Sequence, residues 1–271
     1  MGGPCNIRRD GESSPRPRCA RPGCKTGLTT EQTMHRIAIN VRQALAAAGL
    51  IAAAAVLLPI ARTSAETARA LPAPVLDEAA GKTPEVAVFA GGCFWGVQGV
   101  FEHVKGVTRA VSGYAGGSVA NPGYELVSTG TTGHAESVSV TFDPAQISYG
   151  KLLQIFFSVA LDPTQVDRQG PDRGNQYRSA LFVSGPDQDR VARAYVAQLE
   201  AAHAFSRPIA TRIEPSGLFY PAEAYHQDYL EQHPDAPYIA INDMPKVRSV
   251  QTLFPPNWRG EPVLVRTAAG N

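Results

Sequence analysis

One uncharged apolar segment, Ala44–Ala61, divides this chain into a short leading part and a long following part. The segment has no polar face, so it does not fit the pattern of a helix that packs one side on a soluble core. Arg36 and Arg42 precede it, and small residues suited to a cleavage site follow it near 63–70. This order is typical of a secretory signal peptide. Because the segment approaches the roughly 20 residues that span a bilayer, a membrane anchor is the alternative.

We therefore expect residues 34–70 to be a signal peptide or an anchor, and the following domain to be exported to the periplasm. Met34 stands where a signal peptide would begin. The residues before it, 1–33, are rich in Arg, Pro and Gly, which predicts a disordered leader or an over-extended reading frame. Three cysteines in 1–33 and a histidine just after Met34 lack the paired spacing of a zinc site. These residues are Cys5, Cys19, Cys24 and His35.

The charge balance limits the partners of the chain. It has 25 basic and 24 acidic side chains, and this near-neutral balance excludes electrostatic capture of nucleic acid as the main activity. Hydrophobic residues make up 44% of the sequence, which is too many for a wholly disordered chain.

We expect one domain over 85–260, after a Pro- and Ala-rich linker over 71–84 and before a flexible tail over 261–271. We also expect a monomer that contacts membrane only through its N-terminal segment.

A strand, a tight turn and a helix are predicted at the start of the domain. Val86–Ala90 is prone to form a strand, and two glycines separate it from Cys93. Apolar residues then recur at spacings of three and four, which predicts an amphipathic helix that begins at Cys93.

Later segments show further strand and helix patterns. AESVSVTF alternates cleanly and places Glu136 on the same face as Val138 and Val140. Ser148 is expected to cap a helix that runs through Leu161. The remaining predicted elements are a strand over Tyr177–Val183, a helix over Asp187–Ala204, a strand around Ile209–Ile213 and a helix that starts at Pro221 and carries His226.

These patterns together predict the fold class. Strands and helices are mixed but do not alternate strictly, which favours a two-layer α/β sandwich of the α+β kind. We expect a mixed, partly antiparallel sheet with flanking helices. The chain has 25 Gly and 22 Pro, so the domain should be rich in loops, including a Gly-rich loop around Tyr114.

Cys93 is the candidate nucleophile. At a helix N-terminus, unpaired amides and the helix dipole should lower the pKa of its thiol, and the preceding glycines should expose it. Glu136 lies on an apolar face, so burial should favour its neutral form and make it a proton donor. Tyr114 and Tyr177 are candidate hydroxyl donors to an oxygen that gains charge. Structural interpretations stay open, because a cysteine is often a small buried residue and a carboxylate is often paired with an arginine.

Two other functions fit the same residues. A cysteine-nucleophile acyl-transfer hydrolase would use Cys93 with His134 or His226 as its base. A non-catalytic binding module would use the aromatic pair Phe94 and Trp95. The sequence has no HxxH or HExxH pattern and no second cysteine within 85–260, so we expect no metal site there.

Five sequence blocks occur in a characteristic order. They are GGCFWGVQGVFEHVKGV, SGYAGG, TGHAESVSVTFDP, DPTQVDRQGPDRGNQYRS and FYPAEAYHQDYL. In this order they resemble the peptide methionine sulfoxide reductase A family, and the resemblance extends from about Val86 to Arg259. It implies a thiol-dependent oxidoreductase that reduces the S epimer of methionine sulfoxide, free or in oxidised proteins, with no bound cofactor.

The resemblance also implies catalytic roles. Cys93 matches the attacking thiolate and Glu136 the acid of the family. Tyr114 and Tyr177 match the hydroxyls that bind the sulfoxide oxygen. Attack on the sulfoxide sulfur would leave methionine and a sulfenic acid on Cys93, a state that thiols reverse.

Four further residues match the substrate-binding positions of the family. Phe94 and Trp95 match the aromatic wall around the S-methyl group. Asp172 matches a polar residue of the site loop. His226 lies in a block near the site.

The chain departs from many similar members in its cysteines. Those members carry further cysteines near the C-terminus, whereas residues 94–271 contain none. We therefore expect a one-cysteine cycle, in which an external reductant attacks the sulfenic acid on Cys93 directly. The expected reductant is a thioredoxin-like dithiol, a periplasmic counterpart or a small thiol.

Overall fold

The computed structural model describes residues 68–79 and 81–265. The predicted leader with its cysteines and His35, the apolar segment Ala44–Ala61 and the end of the predicted tail from 266 onward lie outside these residues. In the part that is described, no helix is both long and apolar enough to cross a membrane.

A six-stranded sheet organises the domain, and a two-stranded ribbon accompanies it. The strands are β1 Glu85–Gly91, β2 Val107–Ala115, β3 Ala135–Phe142, β4 Arg168–Gln169, β5 Asp172–Arg173, β6 Ser179–Val183, β7 Arg212–Pro215 and β8 Tyr220–Pro221. The order across the sheet is β7-β6-β1-β3-β2-β8, and β4 pairs with β5 in the ribbon. Strands β6 and β7 run parallel, whereas the other pairs are antiparallel. The mixed, partly antiparallel sheet confirms the predicted fold class.

Helices cover one face of the sheet. The α-helices are α1 Phe94–Glu102, α2 Tyr124–Ser128, α3 Tyr149–Ile155, α4 Pro186–Ala201, α5 Tyr229–Gln232 and α6 Met244–Leu253. The large core between sheet and helices contains Phe89 and Val140 from the strands and Phe101 and Leu199 from the helices. The opposite face carries small side chains such as Ala90, packed with Phe182 and a loop residue, Phe219. The domain is therefore a two-layer sandwich.

The turn between β1 and α1 depends on a glycine. Gly92 has φ +88°, a backbone conformation that L side chains rarely adopt. A Cβ atom at Gly92 would also lie 2.4 Å from the Cβ of Gln169. The turn thus brings β4 against the backbone next to Cys93.

Ser148 caps α3 as predicted, since its hydroxyl accepts a hydrogen bond from the Lys151 N–H. The helix continues through a π-helical turn, Phe156–Ala160. The predicted linker lies along this unit. The Leu71 N–H donates to the Ser158 hydroxyl, and Asp77 accepts hydrogen bonds at the start of α3.

Two predicted strands begin at other residues. The strand expected from Tyr177 begins at Ser179, because Gly174 with φ +128° turns the chain into a 3-10 turn, Asn175–Tyr177. The strand expected around Ile209 is β7, which begins at Arg212. The Ala210 N–H donates instead to the carbonyl of Pro163, so this stretch follows a loop and not the sheet.

Two predicted site residues lie in other elements than expected. Tyr114 lies in β2 and not in a loop, and β2 pairs with β3 along most of its length. Pro221 belongs to β8 at the sheet edge, a position that tolerates proline, and it starts no helix. His226 lies in a 3-10 turn, Ala224–His226.

Candidate functional site

Cys93 lies between β1 and α1. It occupies the N-cap position of α1, and its side chain is buried, with 8% of its surface exposed. Its thiol is free. The prediction that the glycine turn exposes Cys93 is therefore wrong, because loops and helices from later in the chain cover the turn.

A buried carboxyl group lies next to Cys93. Glu136 Oε2 accepts a hydrogen bond of 3.0 Å from the backbone N–H of Phe94, the residue that follows the cysteine. Burial raises the pKa of Glu136 to about 8, although the Phe94 N–H acts in the opposite direction. A proton is therefore available on this carboxyl near neutral pH.

The prediction that the helix N-terminus lowers the pKa of the Cys93 thiol is wrong. Burial and the nearby carboxylates of Asp243 and Glu136 raise this pKa well above its ordinary value. The Trp95 backbone N–H lowers it, as expected at a helix N-terminus, but this contribution is smaller. Cys93 is consequently a neutral thiol in the resting site.

Two tyrosines surround Glu136. Tyr114 lies directly opposite Glu136 in the β2–β3 register, and its hydroxyl donates a hydrogen bond of 3.0 Å to Glu223 Oε2. The pKa of Tyr177 is raised by burial and by the charge of Glu136. Tyr124 was not predicted, yet burial and Glu136 raise its pKa as well. All three phenols therefore stay protonated and can donate hydrogen bonds.

Aromatic rings form one side of the site. The ring of Phe94 lies 5.0 Å from that of His226 and 5.9 Å from that of Tyr114. The half-buried ring of Trp95 stacks on Tyr229 at 4.0 Å. Four of the five aromatic or imidazole rings predicted from the sequence thus lie together, namely Phe94, Trp95, Tyr114 and His226.

His226 is held as a neutral imidazole. The Trp95 indole N–H donates to its Nδ1 at 3.2 Å. Burial lowers its pKa, although the carboxylate of Glu223 opposes this effect. Its Nδ1 therefore faces Trp95, and its Nε2 lies 3.9 Å from Glu223 Oε2.

The acyl-transfer alternative lacks a base. His134 Nδ1 accepts a hydrogen bond from the Gly117 N–H, and its Nε2 is hydrogen-bonded to the carbonyl of Val119. His226 Nδ1 accepts from Trp95, and among the described residues no hydrogen bond joins either histidine to Cys93. Acyl transfer requires such a contact.

A cavity of about 510 Å³ opens beside Cys93. Asp172 lines it and accepts a hydrogen bond from the Tyr238 hydroxyl. The cavity lies between the loop around β4 and β5 and the segment that contains α6. It connects the thiol to solvent.

The sequence reasoning missed Asp243 and Lys246. Asp243 has no exposed surface, and its Oδ1 lies 3.4 Å from the Lys246 ammonium. A Cβ atom on Gly96 would lie 2.2 Å from the same oxygen, so Asp243 packs against the first turn of α1. Both residues follow the last block that the sequence motifs covered, so no pattern pointed to them. Across 68–79 and 81–265, no cluster of His, Cys, Asp and Glu side chains could hold a metal ion.

Comparison with known proteins gives consistent matches. The family model for peptide methionine sulfoxide reductase matches residues 85–257. A relative from Mesorhizobium japonicum, peptide methionine sulfoxide reductase MsrA 2, is 54% identical over 194 residues, which are 72% of this chain and 100% of the relative. The protein of the same name from Synechocystis is 51% identical over 69% of this chain and 89% of its own length.

A solved structure agrees with these matches. The crystal structure of Mxr1 from Saccharomyces cerevisiae in reduced form is 31% identical, with a TM-score of 0.51 over 63% of this chain and 92% of that protein. The family model covers more than half of this chain, and the relatives are matched over most of their length. The chain therefore belongs to the peptide methionine sulfoxide reductase family.

Proposed function

We propose that this protein reduces the S epimer of methionine sulfoxide to methionine, in oxidised proteins and as the free amino acid. The observation that carries the proposal is the hydrogen bond between Glu136 and the Phe94 N–H, which holds a protonatable carboxyl beside the Cys93 thiol. A sulfoxide sulfur becomes electrophilic when its oxygen is protonated or strongly hydrogen-bonded. A thiol next to a carboxyl of raised pKa meets this requirement.

The sulfoxide oxygen binds between Glu136 and the hydroxyls of Tyr114 and Tyr177. Each of these phenols has a raised pKa, so each can donate a hydrogen bond without losing its proton. The Tyr114 hydroxyl, which donates to Glu223 in the structure, turns to the sulfoxide oxygen when the substrate binds. The S-methyl group lies against Phe94 and Trp95, whose rings exclude water and favour an apolar group.

One proton moves from Cys93 to the sulfoxide oxygen through Glu136. The Glu136 carboxylate accepts the thiol proton and delivers it to the oxygen while the sulfur of Cys93 attacks the sulfoxide sulfur. The attack forms a sulfur–sulfur bond to the protonated sulfoxide. Transfer of the hydroxyl to the sulfur of Cys93 then breaks this bond together with the sulfur–oxygen bond of the substrate. Methionine is released and Cys93 becomes a sulfenic acid, so the substrate is reduced and the cysteine is oxidised.

An external thiol restores Cys93. One thiol displaces the hydroxyl of the sulfenic acid as water and forms a mixed disulfide, and a second thiol releases Cys93 and leaves a disulfide product. No cysteine follows Cys93, and Cys5, Cys19 and Cys24 precede the proposed signal segment. In the exported domain, the second thiol therefore comes from another molecule. A thioredoxin-like dithiol supplies both thiols at once.

The proposed place of action is the periplasm, with the protein as a monomer. The apolar segment Ala44–Ala61 and its basic flank support export. Cell fractionation and the N-terminal sequence of the mature protein test this part. Recovery of the intact chain from the cytoplasm would contradict it.

Steady-state assays with separated epimers test the activity. The full chain receives a peptide with either the S or the R epimer of methionine sulfoxide, with dithiothreitol as reductant. We expect methionine from the S epimer only, and no turnover by Cys93→Ser. If neither epimer reacts while Cys93 still alkylates, the proposed function is wrong.

A further inference from the structure

The cavity beside Cys93 has a charged wall. Arg168, Arg173 and Lys246 line it, and one carboxylate, Asp172, lines it as well. The Tyr238 hydroxyl donates to that carboxylate. Lys246 also faces the buried Asp243 at 3.4 Å. With that carboxylate included, cations still outnumber carboxylates around the cavity.

Arg168 has hydrogen-bonding capacity left. Its Nη2 donates to the Gly170 carbonyl at 2.6 Å, whereas its Nε is buried and, among the described residues, donates to no acceptor. A buried guanidinium N–H without an acceptor costs free energy that a carboxylate oxygen would recover. Arg173 lies two residues past the turn at Gly170 and Pro171, and its side chain is exposed.

The size of the cavity suits a short stretch of peptide. A volume of about 510 Å³ falls within the range of small-ligand sites. Cys93 forms part of the wall, while Glu136 and the aromatic residues that receive the sulfoxide lie outside it. Because Cys93 is part of the wall, the cavity offers space beside the thiol for the residues that flank a methionine sulfoxide.

We propose that this cavity selects peptide substrates in which an acidic residue lies next to the methionine sulfoxide. The proposal rests on the proposed function, because the sulfoxide must react at Cys93. The carboxylate of the neighbouring residue binds the guanidinium groups of Arg168 and Arg173. Lys246 adds to the positive potential at the inner wall. A basic neighbour is disfavoured by the same charges.

Paired peptides test this selection. Each pair has the S epimer of methionine sulfoxide flanked by Asp or by Lys on both sides, and dithiothreitol, which is neutral, serves as reductant throughout. We expect kcat/KM to favour the Asp peptide by about fivefold at low salt, the scale of one or two partly exposed charge pairs. Added salt should reduce the preference because it screens exposed charges.

Variants assign the preference to the cavity. Arg173→Glu, at an exposed position, should shift the preference toward the Lys peptide, and the double variant Arg168→Gln/Arg173→Gln should abolish it. Arg248→Gln is the matched control, because Arg248 is exposed on α6 and does not line the cavity. The Arg248→Gln variant should prefer the Asp peptide to the same extent as the unmodified chain.

Several results would overturn the proposal. Equal kcat/KM for both peptides would do so, as would a preference that survives Arg173→Glu or disappears in Arg248→Gln. Failure to reduce either peptide would contradict the proposed function itself, and this outcome is distinct from equal rates.

Discussion

The carboxyl of Glu136 accepts a hydrogen bond of 3.0 Å from the Phe94 N–H, one residue from Cys93. This contact joins β3 to the first turn of α1 and fixes the Glu136 carboxyl beside Cys93. Both groups are buried, so each keeps its proton more readily than in water. The site thus holds one thiol and one carboxyl, the two groups that exchange a proton in the proposed mechanism.

Removal of the Glu136 carboxyl should abolish most of the activity. Glu136→Gln keeps the shape of the side chain but carries no transferable proton. We expect the rate of methionine formation in a single turnover to fall by about 10²- to 10⁴-fold, the scale of general acid–base catalysis. Alkylation of Cys93 by iodoacetamide is the control and should persist. A variant with unchanged turnover would remove Glu136 from the mechanism.

The single-turnover rate should rise with pH toward about 8. Burial raises the pKa of Glu136 to about 8 and raises that of Cys93 well above its ordinary value. Below pH 8 both groups are protonated, and Glu136 must lose its proton before it can accept the one from Cys93. We expect an ascending limb near pH 8 and a decline only at higher pH, when Cys93 ionises as well.

A stopped-flow pH series measures this profile. Because the two groups interact, the limbs report the pair and not a single residue. A rate that falls steadily as pH increases from about 6 to about 8 would contradict the proton transfer through Glu136.

The buried carboxylate of Asp243 should suppress the reactivity of Cys93. After burial, Asp243 is the largest cause of the raised pKa of the thiol. Asp243→Asn should therefore lower this pKa and shift the pH profile of Cys93 alkylation to lower pH. Asp187→Asn removes an exposed carboxylate on α4 and is the control. An unchanged profile in Asp243→Asn would show that the charge of Asp243 does not affect the pKa of the Cys93 thiol.

The sequence singled out Cys93 and Glu136 separately for physical reasons, and the family resemblance placed them in one site. The period of two in β3 placed a carboxylate on an apolar face, and the glycine turn predicted the start of α1. Their contact depends on the antiparallel register of β1 with β3, which brings distant segments together. The periodicity of the sequence does not show which residues of β1 and β3 pair.

Other parts of the site lacked a local signal. Tyr114 lies opposite Glu136 because β2 pairs with β3, yet glycines around Tyr114 favoured a loop. Asp243 packs against Gly96, although the two residues are far apart in the sequence. The raised pKa of Cys93 follows from this burial and charge, so the helix N-terminus alone gave the wrong sign.

The Tyr114 hydroxyl should assist the reaction. Tyr114→Phe removes the group that donates to Glu223 and, in the proposed mechanism, to the sulfoxide oxygen. We expect the single-turnover rate to fall by about 100-fold, the lower end of the effect of one oxyanion donor. Tyr195→Phe is the control, since its hydroxyl donates to the Pro72 carbonyl away from the site. Equal losses in both variants would indicate a general effect on folding.

The turn before Cys93 should not tolerate a side chain. Gly92→Ala places a Cβ atom at φ +88° and 2.4 Å from Gln169, so we expect a loss of about 1–3 kcal/mol in the free energy of unfolding. Gly170→Ala is the matched control, because φ is +55° there and no atom lies within 4 Å of the added Cβ. Urea titration compares the two. A larger loss in Gly170→Ala would contradict the role of close packing at Gly92.

The central claim is that reduction of the sulfoxide oxidises Cys93 to a sulfenic acid. The intact chain is mixed with an excess of the S epimer peptide in the absence of any thiol, and methionine and the peptide containing Cys93 are analysed by mass spectrometry. The account predicts one methionine per protein and one added oxygen atom on Cys93. Methionine formed without oxygen on Cys93, or with a disulfide at Cys93, would contradict it.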